Sequence, residues 1–430
     1  MNKQSKLFKG VVILLCNLLF SVTSFAQMQE TELSANEKQE QKNEALENAI
    51  KALQKLKVSG YIQGQFQYGE EDASLKVGNS NENPEKSFNR IGIRRGRIKF
   101  TYEEGIASGV FQLDITEKGV GFKDAYLNIK DPWYGTSALK AGVFDRPFGN
   151  EISYSSSRRE SPERSTIFQT LFPDERDLGG MLQLKPAKTS PLNFLKLEAG
   201  VFAGNGIKQE TDSRKDFIGH LSAEKMIGND VKIGGGISYY NGGVFQGTEK
   251  VYKMEGNRFV LDENPDNKRK FAKREYFGAD MQFSVMSQLG MSQLRAEYLF
   301  GEQPGTDGSS KSPNSSSLPN VDTYIRKFSG GYVIFVQDIG KHPFSAVLKY
   351  DWYDPNTKVS KDEIGLSNTN TTSTDLAKNT FGFGMLWRAT KSLRLQAYYE
   401  INKNEETKNI EGFSGDRDDN VLTVRLQYKF

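Results

Sequence analysis

The sequence predicts an all-β protein, a transmembrane antiparallel β-barrel of about 16 strands with a short N-terminal periplasmic helix. Three features predict this fold: period-two alternation from residue 58 to the C-terminus, connections that are alternately short and long, and an N-terminal export signal. One face of each alternating segment is apolar and aromatic, and the other is charged. A soluble sandwich would bury the apolar face, but aromatics gathered at the ends of ~10-residue strands are typical of membrane-barrel girdles.

Composition excludes several functional classes. The chain has 430 residues, with 57 Lys and Arg against 54 Asp and Glu, but only two His and one Cys. These are too few ligands for a zinc cluster of Cys and His, an iron–sulfur site or a disulfide framework. We therefore predict neither a metal site nor a cofactor. The 41 Gly, 28 Phe and 18 Tyr are also unlike a Leu- and Ala-rich soluble enzyme.

Residues 1–26 have the features of a secretory signal peptide. Three lysines precede the apolar run 11–20, and Ala26 fits the last position before a cleavage site. A permanent membrane anchor is the alternative, but Asn17 interrupts a run that is too short to span a bilayer. An exported barrel predicts the outer membrane of a Gram-negative bacterium. Cleavage removes three lysines and no acid, which leaves 54 basic and 54 acidic residues, so any ionic preference depends on where the charges lie.

Residues 27–57 lack Pro and Gly and predict a polar helical or coiled-coil periplasmic segment. A short apolar seam with coiled-coil spacing consists of Leu46, Ala49, Leu53 and Leu56, with Ile50 beside it. Gln39 and Lys42 occupy the preceding seam positions, so only about two heptads are apolar. A coiled coil and a frayed polar linker both remain open.

Residues 58–430 predict the barrel. The sixteen predicted strands are 58–68, 90–103, 107–116, 121–131, 137–144, 179–187, 192–203, 216–228, 230–241, 271–286, 291–301, 324–337, 343–353, 377–389, 391–402 and 419–430. Connections after even-numbered strands are short, whereas most connections after odd-numbered strands are long and polar. Short turns at one rim, long loops at the other and an even strand count are typical of outer-membrane barrels.

Four motifs between residues 90 and 182 resemble the phosphate-selective porin O/P family. They are Arg94-Arg95-Gly96-Arg97, Gln112-Leu113-Asp114, Lys123-Asp124-Ala125-Tyr126-Leu127, and the run from Lys140 to Gly149 with sequence KAGVFDRPFG. Each motif alone has low specificity for the family, but the order and spacing of the four motifs together are fairly specific. The resemblance implies a homotrimeric outer-membrane channel of sixteen strands, in which arginines around an inward-folded third loop conduct small anions such as phosphate.

The alternation predicts which charges line the lumen. Arg95, Arg97 and Lys99 share one strand face, with Ile98, Phe100 and Tyr102 on the other. Gly96 is a candidate β-bulge, because the isoleucines before it share the parity of the cations. The predicted anion pathway is Arg94, Arg95, Arg97, Lys99, Lys130 and Lys140. Inward-facing cations outnumber inward-facing acids, which favours anions in a narrow pore, although a mixed-charge wall that only solvates the lumen is the alternative.

The third long loop, 145–178, is the predicted constriction. Its candidate anion-contacting side chains are Ser155, Ser156, Ser157, Arg158, Arg159 and Arg164, which offer hydroxyl donors and guanidinium groups to oxyanions. The loop also contains five Arg against seven Asp and Glu. Its net charge of −2 argues against strong anion selectivity, unless the acids pair with arginines or face away from the pore.

Two functional hypotheses follow. The first is a passive diffusion porin for small anionic solutes, possibly phosphate, with membrane lipid and lipopolysaccharide as its surroundings and no nucleic-acid partner. The second is a weakly selective or non-conducting surface barrel that acts as an adhesin or structural protein. His220 and Ser222 share a strand face and are reminiscent of outer-membrane phospholipases, but we assign both to the lumen and predict that the protein is not an enzyme.

Overall fold

A computed structural model describes residues 35–80, 87–312 and 320–430. The chain divides into two compact units, residues 1–56 and 57–430. The first unit contains helix α1, Ala35–Lys55. The predicted signal peptide lies outside the described residues. No helix in the described ranges is long and apolar enough to cross a membrane.

The second unit contains eighteen strands and the one-and-a-half-turn helix α2, Thr166–Leu171. The strands are β1 Leu56–Glu70, β2 Ser87–Glu104, β3 Ala107–Thr116, β4 Gly119–Lys130, β5 Ala138–Asp145, β6 Arg176–Leu184, β7 Leu195–Phe202, β8 Asp216–Ile227, β9 Val231–Phe245, β10 Lys250–Glu255, β11 Arg258–Glu263, β12 Phe271–Ser287, β13 Gly290–Gly305, β14 Thr323–Asp338, β15 Phe344–Asp354, β16 Lys378–Arg388, β17 Leu393–Asn404 and β18 Val421–Lys429. Short 3-10 helices occur at Pro265–Asn267, Lys361–Glu363 and Ser373–Asp375.

Sixteen of these strands, β1–β9 and β12–β18, form a closed antiparallel barrel. Each pairs with the next along the chain, and β1 closes the sheet against β18 in a ladder from Tyr61 with Lys429 to Gly69 with Val421. The predicted barrel is thus confirmed, with every predicted strand matched. The hairpin β10–β11 was not predicted, and β10 pairs in parallel with the start of β14.

The side chains alternate between lipid and lumen as the sequence predicts. In β1, Ile62 and Phe66 are exposed on the outer face, whereas Gln63, Gln65 and Gln67 are buried on the inner face. A barrel in hydrocarbon satisfies its backbone within the sheet and presents apolar side chains outward. The alternation therefore positions the polar wall on which the candidate site is built.

The two rims differ as predicted. Turns such as 105–106, 228–230 and 288–289 are short, and the chain termini of the barrel lie at the same rim. Most connections at the other rim are long, with 117–118 as the exception. Outer-membrane barrels place short turns at the periplasm and long loops outside the cell.

Deletion of Phe430 should impair barrel assembly. Phe430 is the last residue to pair with the first strand, because its backbone exchanges two hydrogen bonds of 3.0 Å with Gly60. The deletion removes these bonds and the terminal aromatic, whereas Phe430→Tyr keeps both. The measurement is the heat-modifiable band in outer-membrane fractions. A truncated chain that accumulates as folded barrel at the wild-type level would contradict this prediction.

Candidate functional site

Residues 146–175, called here the inward loop, fold into the lumen between β5 and β6. One side of the loop packs on aromatic residues of the barrel wall: Phe172 lies 5.6 Å from Tyr276 of β12 and 5.0 Å from Phe148 of the loop itself, measured between ring centroids. Phe168 packs edge-on against Tyr332 at 6.2 Å. All five rings are buried. This half of the lumen is therefore a packed apolar core.

Glu297 of β13 fixes the start of the loop. Its buried carboxylate accepts hydrogen bonds from the amides of Asn150 (3.0 Å) and Glu151 (2.6 Å) and from the Tyr332 hydroxyl (2.7 Å). Gly149, with φ +60°, approaches so closely that a Cβ there would lie 2.1 Å from the Glu297 carboxylate. Only glycine fits both requirements.

The opposite wall holds the loop by its main chain. Five side chains of β1, β17 and β18, called here the carbonyl clasp, donate hydrogen bonds to loop carbonyl oxygens. The pairs are Gln63 to Ser156 (3.1 Å), Gln427 to Ser157 (3.1 Å), Arg394 to Arg158 (3.2 Å), Gln396 to Glu160 and Arg425 to Pro162 (2.8 Å). The clasp satisfies carbonyl groups that would otherwise be buried without partners.

Glu163 of the loop is enclosed by three arginines, called here the arginine cage. Its carboxylate oxygens lie 2.8 Å from Arg94 Nε, 2.7 Å from Arg95 Nη2 and 2.8 Å from Arg425 Nη2. Burial acts to raise the pKa of Glu163, but the nearby guanidinium groups of Arg94, Arg95 and Arg425 hold it well below its ordinary value. The carboxylate is therefore ionised at neutral pH.

Five of the other six acids of the predicted constriction also pair with cations; exposed Asp174 is the exception among the described residues. Glu175 lies 3.1 Å from Lys123 and also pairs with Arg164 and Arg176. Burial acts to raise the pKa of Glu175, but these three cations, Arg164 first, hold it well below its ordinary value. The remaining pairs are Glu151 with Lys349, Glu160 with Arg295, Asp177 with Arg146, and Asp145 with Arg176.

The cations Arg94, Arg95 and Arg97 of β2 lie close to acids that are distant in the sequence. Glu163, which is 69 residues away from Arg94, lies between Arg94 and Arg95. Arg97 Nε lies 3.2 Å from Asp114, and its Nη1 donates to the Ser156 hydroxyl at 3.1 Å.

An irregularity next to Gly96 brings Arg94 and Arg95 to the same carboxylate. The ladder between β2 and β3 starts only at Arg97, and the Gly96 amide donates instead to the Asp114 carboxylate at 3.0 Å. A Cβ on Gly96 would lie 2.1 Å from the Ile115 carbonyl oxygen. The break in the ladder lies where the sequence predicts a bulge.

Three cavities lie along the inward loop. The long-loop cavity, about 510 Å³, is lined by residues such as Lys76, Lys378 and Asp419. The short-turn cavity, about 440 Å³, opens beside Gly60 at the other rim. A middle cavity of about 400 Å³ lies between the loop and β2–β4. Arg164 lines all three cavities, which together are called here the polar passage. The middle and short-turn cavities border β2–β4, whereas the long-loop cavity borders β1 and β15–β18.

Arg164 connects separate parts of the inward loop through hydrogen bonds and an ion pair. Its Nε donates to the carbonyl oxygen of Glu151 (2.9 Å), its Nη2 donates to that of Ile152 (2.8 Å), and its Nη1 pairs with Glu175. Arg159 is buried and lines none of the three cavities. Burial lowers its pKa well below the ordinary value, and the charges of Arg164 and Arg95 lower it further.

The short-turn cavity brings together the other predicted residues. Ser155, Ser156, Ser157 and Arg158 line it, as do Lys99 and Lys140. The Lys140 ammonium lies over the rings of Tyr126 and Phe144, 4.8 and 5.2 Å from their centroids. Lys130 differs, because it is exposed at the end of β4 and lines none of the three cavities.

In the short-turn cavity, cations exceed acids after pairing. Its two acids, Asp124 and Asp145, both pair with Arg176, at 2.8 and 3.1 Å. Four lining cations form no ion pair with any described residue: Lys99, Lys140, Arg158 and Lys429. This is the part of the described passage where positive charge is least compensated.

Sequence reasoning missed Lys123. Its register position in β4 has no partner in β3, because Gln112 pairs with Asp124 and Leu113 pairs with Phe122. This bulge turns Lys123 towards Glu175 on the lumen side, next to inward-facing Asp124. Simple alternation assigns consecutive residues to opposite faces, so no period-two signal could have found it.

His220 and Ser222 form no catalytic pair. The His220 Nε2 atom lies 2.9 Å from Asp280, whereas the Ser222 hydroxyl donates to the Lys196 carbonyl oxygen at 3.4 Å. Within the described ranges, no group of three or more His, Cys, Asp or Glu could hold a metal ion. The chemistry available along the passage is electrostatic and hydrogen-bonding.

Comparison with solved structures identifies the fold. OmpF of Salmonella typhi, solved in complex with daunomycin, superposes with a TM-score of 0.54 at 11% identity, covering 87% of this chain and 97% of that chain. OmpT of Vibrio cholerae, an outer-membrane protein in its trimer form, gives 0.51 at 10% identity over 87% and 99%. The fold is that of an outer-membrane porin. No protein-family model and no curated sequence matches the chain.

The barrel and its apolar outer face make the chain an outer-membrane protein of a Gram-negative bacterium, as the sequence predicts. The resemblance to the phosphate-selective porin O/P family is confirmed only at the level of a porin-like barrel.

Proposed function

We propose that the protein is a passive diffusion channel for small anionic solutes, with phosphate among the candidates. The observation that carries this proposal is the uncompensated charge of the short-turn cavity. No described residue forms an ion pair with the lining cations Lys99, Lys140, Arg158 and Lys429, and the serine hydroxyls at 155–157 offer donors to oxyanions. A low-dielectric passage weights such charge more heavily than bulk water does.

The proposed passage runs through the three cavities. The middle cavity is lined by six cations and four acids, against seven cations and two acids in the short-turn cavity, so selectivity depends more on the cations of the short-turn cavity. We propose membrane lipid and lipopolysaccharide as the outer surroundings and a homotrimer as the assembly. OmpT of Vibrio cholerae, which has a similar fold, was solved in a trimer form, and this supports the homotrimer.

A non-conducting surface barrel is the second candidate. The observation that favours it is the number of walls to which the inward loop is fastened, by the aromatic core, Glu297, the carbonyl clasp and the arginine cage. Single-channel recording of the purified protein in planar bilayers separates the candidates. Stable conductance steps, with a reversal potential whose sign shows preferential permeation of anions in a KCl gradient, support the channel. A correctly folded barrel that gives no conductance steps supports the alternative.

The combined substitutions Lys99→Gln, Lys140→Gln and Arg158→Gln should move the reversal potential towards cations. Their effect should exceed that of neutralising Arg95 and Arg97, because those arginines are already paired with acids. The reversal potential in a tenfold KCl gradient is the measurement.

The matched control removes three exposed lysines outside the cavities, by Lys185→Gln, Lys188→Gln and Lys391→Gln. It changes net charge equally, so it should leave the reversal potential at the wild-type value. Equal shifts in both variants would show that net charge, and not the cavity, sets the ionic preference.

A further inference from the structure

Helix α1 exposes an apolar stripe that packs against no other described residue of its own unit. Leu46, Ile50 and Leu53 are 59, 46 and 65% exposed, and the alanines at 45, 49 and 52 are exposed beside them. Exposed contiguous apolar surface on a soluble segment marks an interaction site. The exposed stripe of α1 therefore indicates a surface that a partner covers.

The width of the stripe indicates the kind of partner. With Leu46 and Leu53 at heptad position a, Ala49 is at d, Ile50 at e, and Ala45 and Ala52 at g. Apolar residues at a, d, e and g make a face wider than a two-stranded seam. The charged pair Glu47 and Lys51, with 3.8 Å between their charged atoms, lies on the remaining face at b and f.

The charges on α1 favour another protein surface over a membrane surface as its partner. Over residues 35–55 the helix has four acids and four lysines, so it has no net attraction for anionic headgroups. No charged residue occupies an a, d, e or g position from Ala45 to Leu53, so copies of this segment meet without like-charge contacts. The face is complementary to itself.

We propose that α1 packs against the same helix of two other copies as a short parallel three-helix coiled coil. Two heptads are too few for a stable coiled coil on their own. No residue separates the end of α1 at Lys55 from the start of β1 at Leu56, so barrels held together in one assembly bring the three helices to a high effective concentration.

Disulfide trapping tests the proposal. In a Cys16→Ser background the chain has no other cysteine, so Leu53→Cys should give disulfide-linked dimers in the outer-membrane oligomer under mild oxidation. Lys51→Cys, on the outer face, is the matched control and should give at least tenfold less, because cysteines whose Cα atoms are far apart do not bridge. Equal yields from both positions, or none from Leu53→Cys, overturn the proposal.

A second variant measures the energetic role of the stripe. Leu46→Asp combined with Leu53→Asp should dissociate the oligomer at a lower temperature on unheated gels, while each barrel stays heat-modifiable, because the barrel does not need α1 to close its sheet. Glu47→Gln with Lys51→Gln is the control on the outer face. An oligomer of unchanged thermal stability in the Asp variant, or a wild-type protein that is monomeric in the membrane, also overturns the proposal.

Discussion

Replacement of Glu163 by glutamine should shift the ionic preference strongly towards anions. Glu163 supplies the one negative charge that Arg94, Arg95 and Arg425 share, and the low pKa of its carboxylate keeps that charge at neutral pH. At about 8 Å and an effective dielectric constant near 20, one unit charge contributes about 2 kcal/mol before salt screening. The anion-to-cation permeability ratio should therefore rise by up to about tenfold, as measured by reversal potential.

The control for this variant is Glu103→Gln, which removes an exposed carboxylate paired with Lys57 outside the three cavities. It should leave the permeability ratio unchanged. Removing one partner of a buried ion pair is also destabilising, so trypsin sensitivity of the loop should be recorded in parallel. A Glu163→Gln channel with an intact loop and the wild-type ratio would show that permeating ions do not sense the arginine cage.

Replacement of Phe172 by alanine should release the inward loop from the aromatic wall. The Phe172 ring is buried among Phe148, Phe168, Tyr240 and Tyr276, at centroid distances of 5.0 to 6.0 Å. Phenylalanine-to-alanine changes in cores cost about 3–5 kcal/mol, partly because a cavity remains. We expect faster tryptic cleavage in the loop, after Arg158 and Arg159, and noisier, larger conductance steps.

The barrel itself should tolerate this change, because its ladder does not include the loop. Phe277→Ala is the matched control, since that ring faces outward and stacks on Phe300 at 5.4 Å. It should leave loop cleavage and conductance at wild-type values. If Phe172→Ala were cleaved no faster than Phe277→Ala, the aromatic cluster would not be what holds the loop in the lumen.

The strands could be predicted because lipid imposes a simple rule on each of them. A strand in a membrane barrel needs an apolar outer face, and this leaves a period-two signal such as Ile62 and Phe66 against Gln63 and Gln65. Hairpin β10–β11 carries no such signal, since it lies in a long loop where charged residues are compatible with either strand or turn. Its pairing with β14 depends on tertiary contact.

For the candidate site, the sequence predicted which types of residue are present but not which of them are in contact. Tyr240 and Tyr276 have the same side chain as the girdle tyrosines, and only their contacts with Phe172 show that they are core residues. The pairing of Glu163 with Arg425 joins residues 262 positions apart, a distance that no local pattern encodes. The charged residues can be counted from the sequence, but which cations and acids form ion pairs depends on the folded structure.

The carbonyl clasp has an evolutionary consequence. Every amino acid offers the same carbonyl oxygen, so the wall recognises the path of segment 156–162 and not most of its side chains. Arg158 illustrates the separation, because Arg394 binds its carbonyl while its own guanidinium lines the short-turn cavity. If the passage conducts ions as proposed, a substitution at such a position can change its ionic preference while the hydrogen bonds of the carbonyl clasp are kept. Under the proposed function, the side chains of the passage can therefore change while the path of the loop is kept.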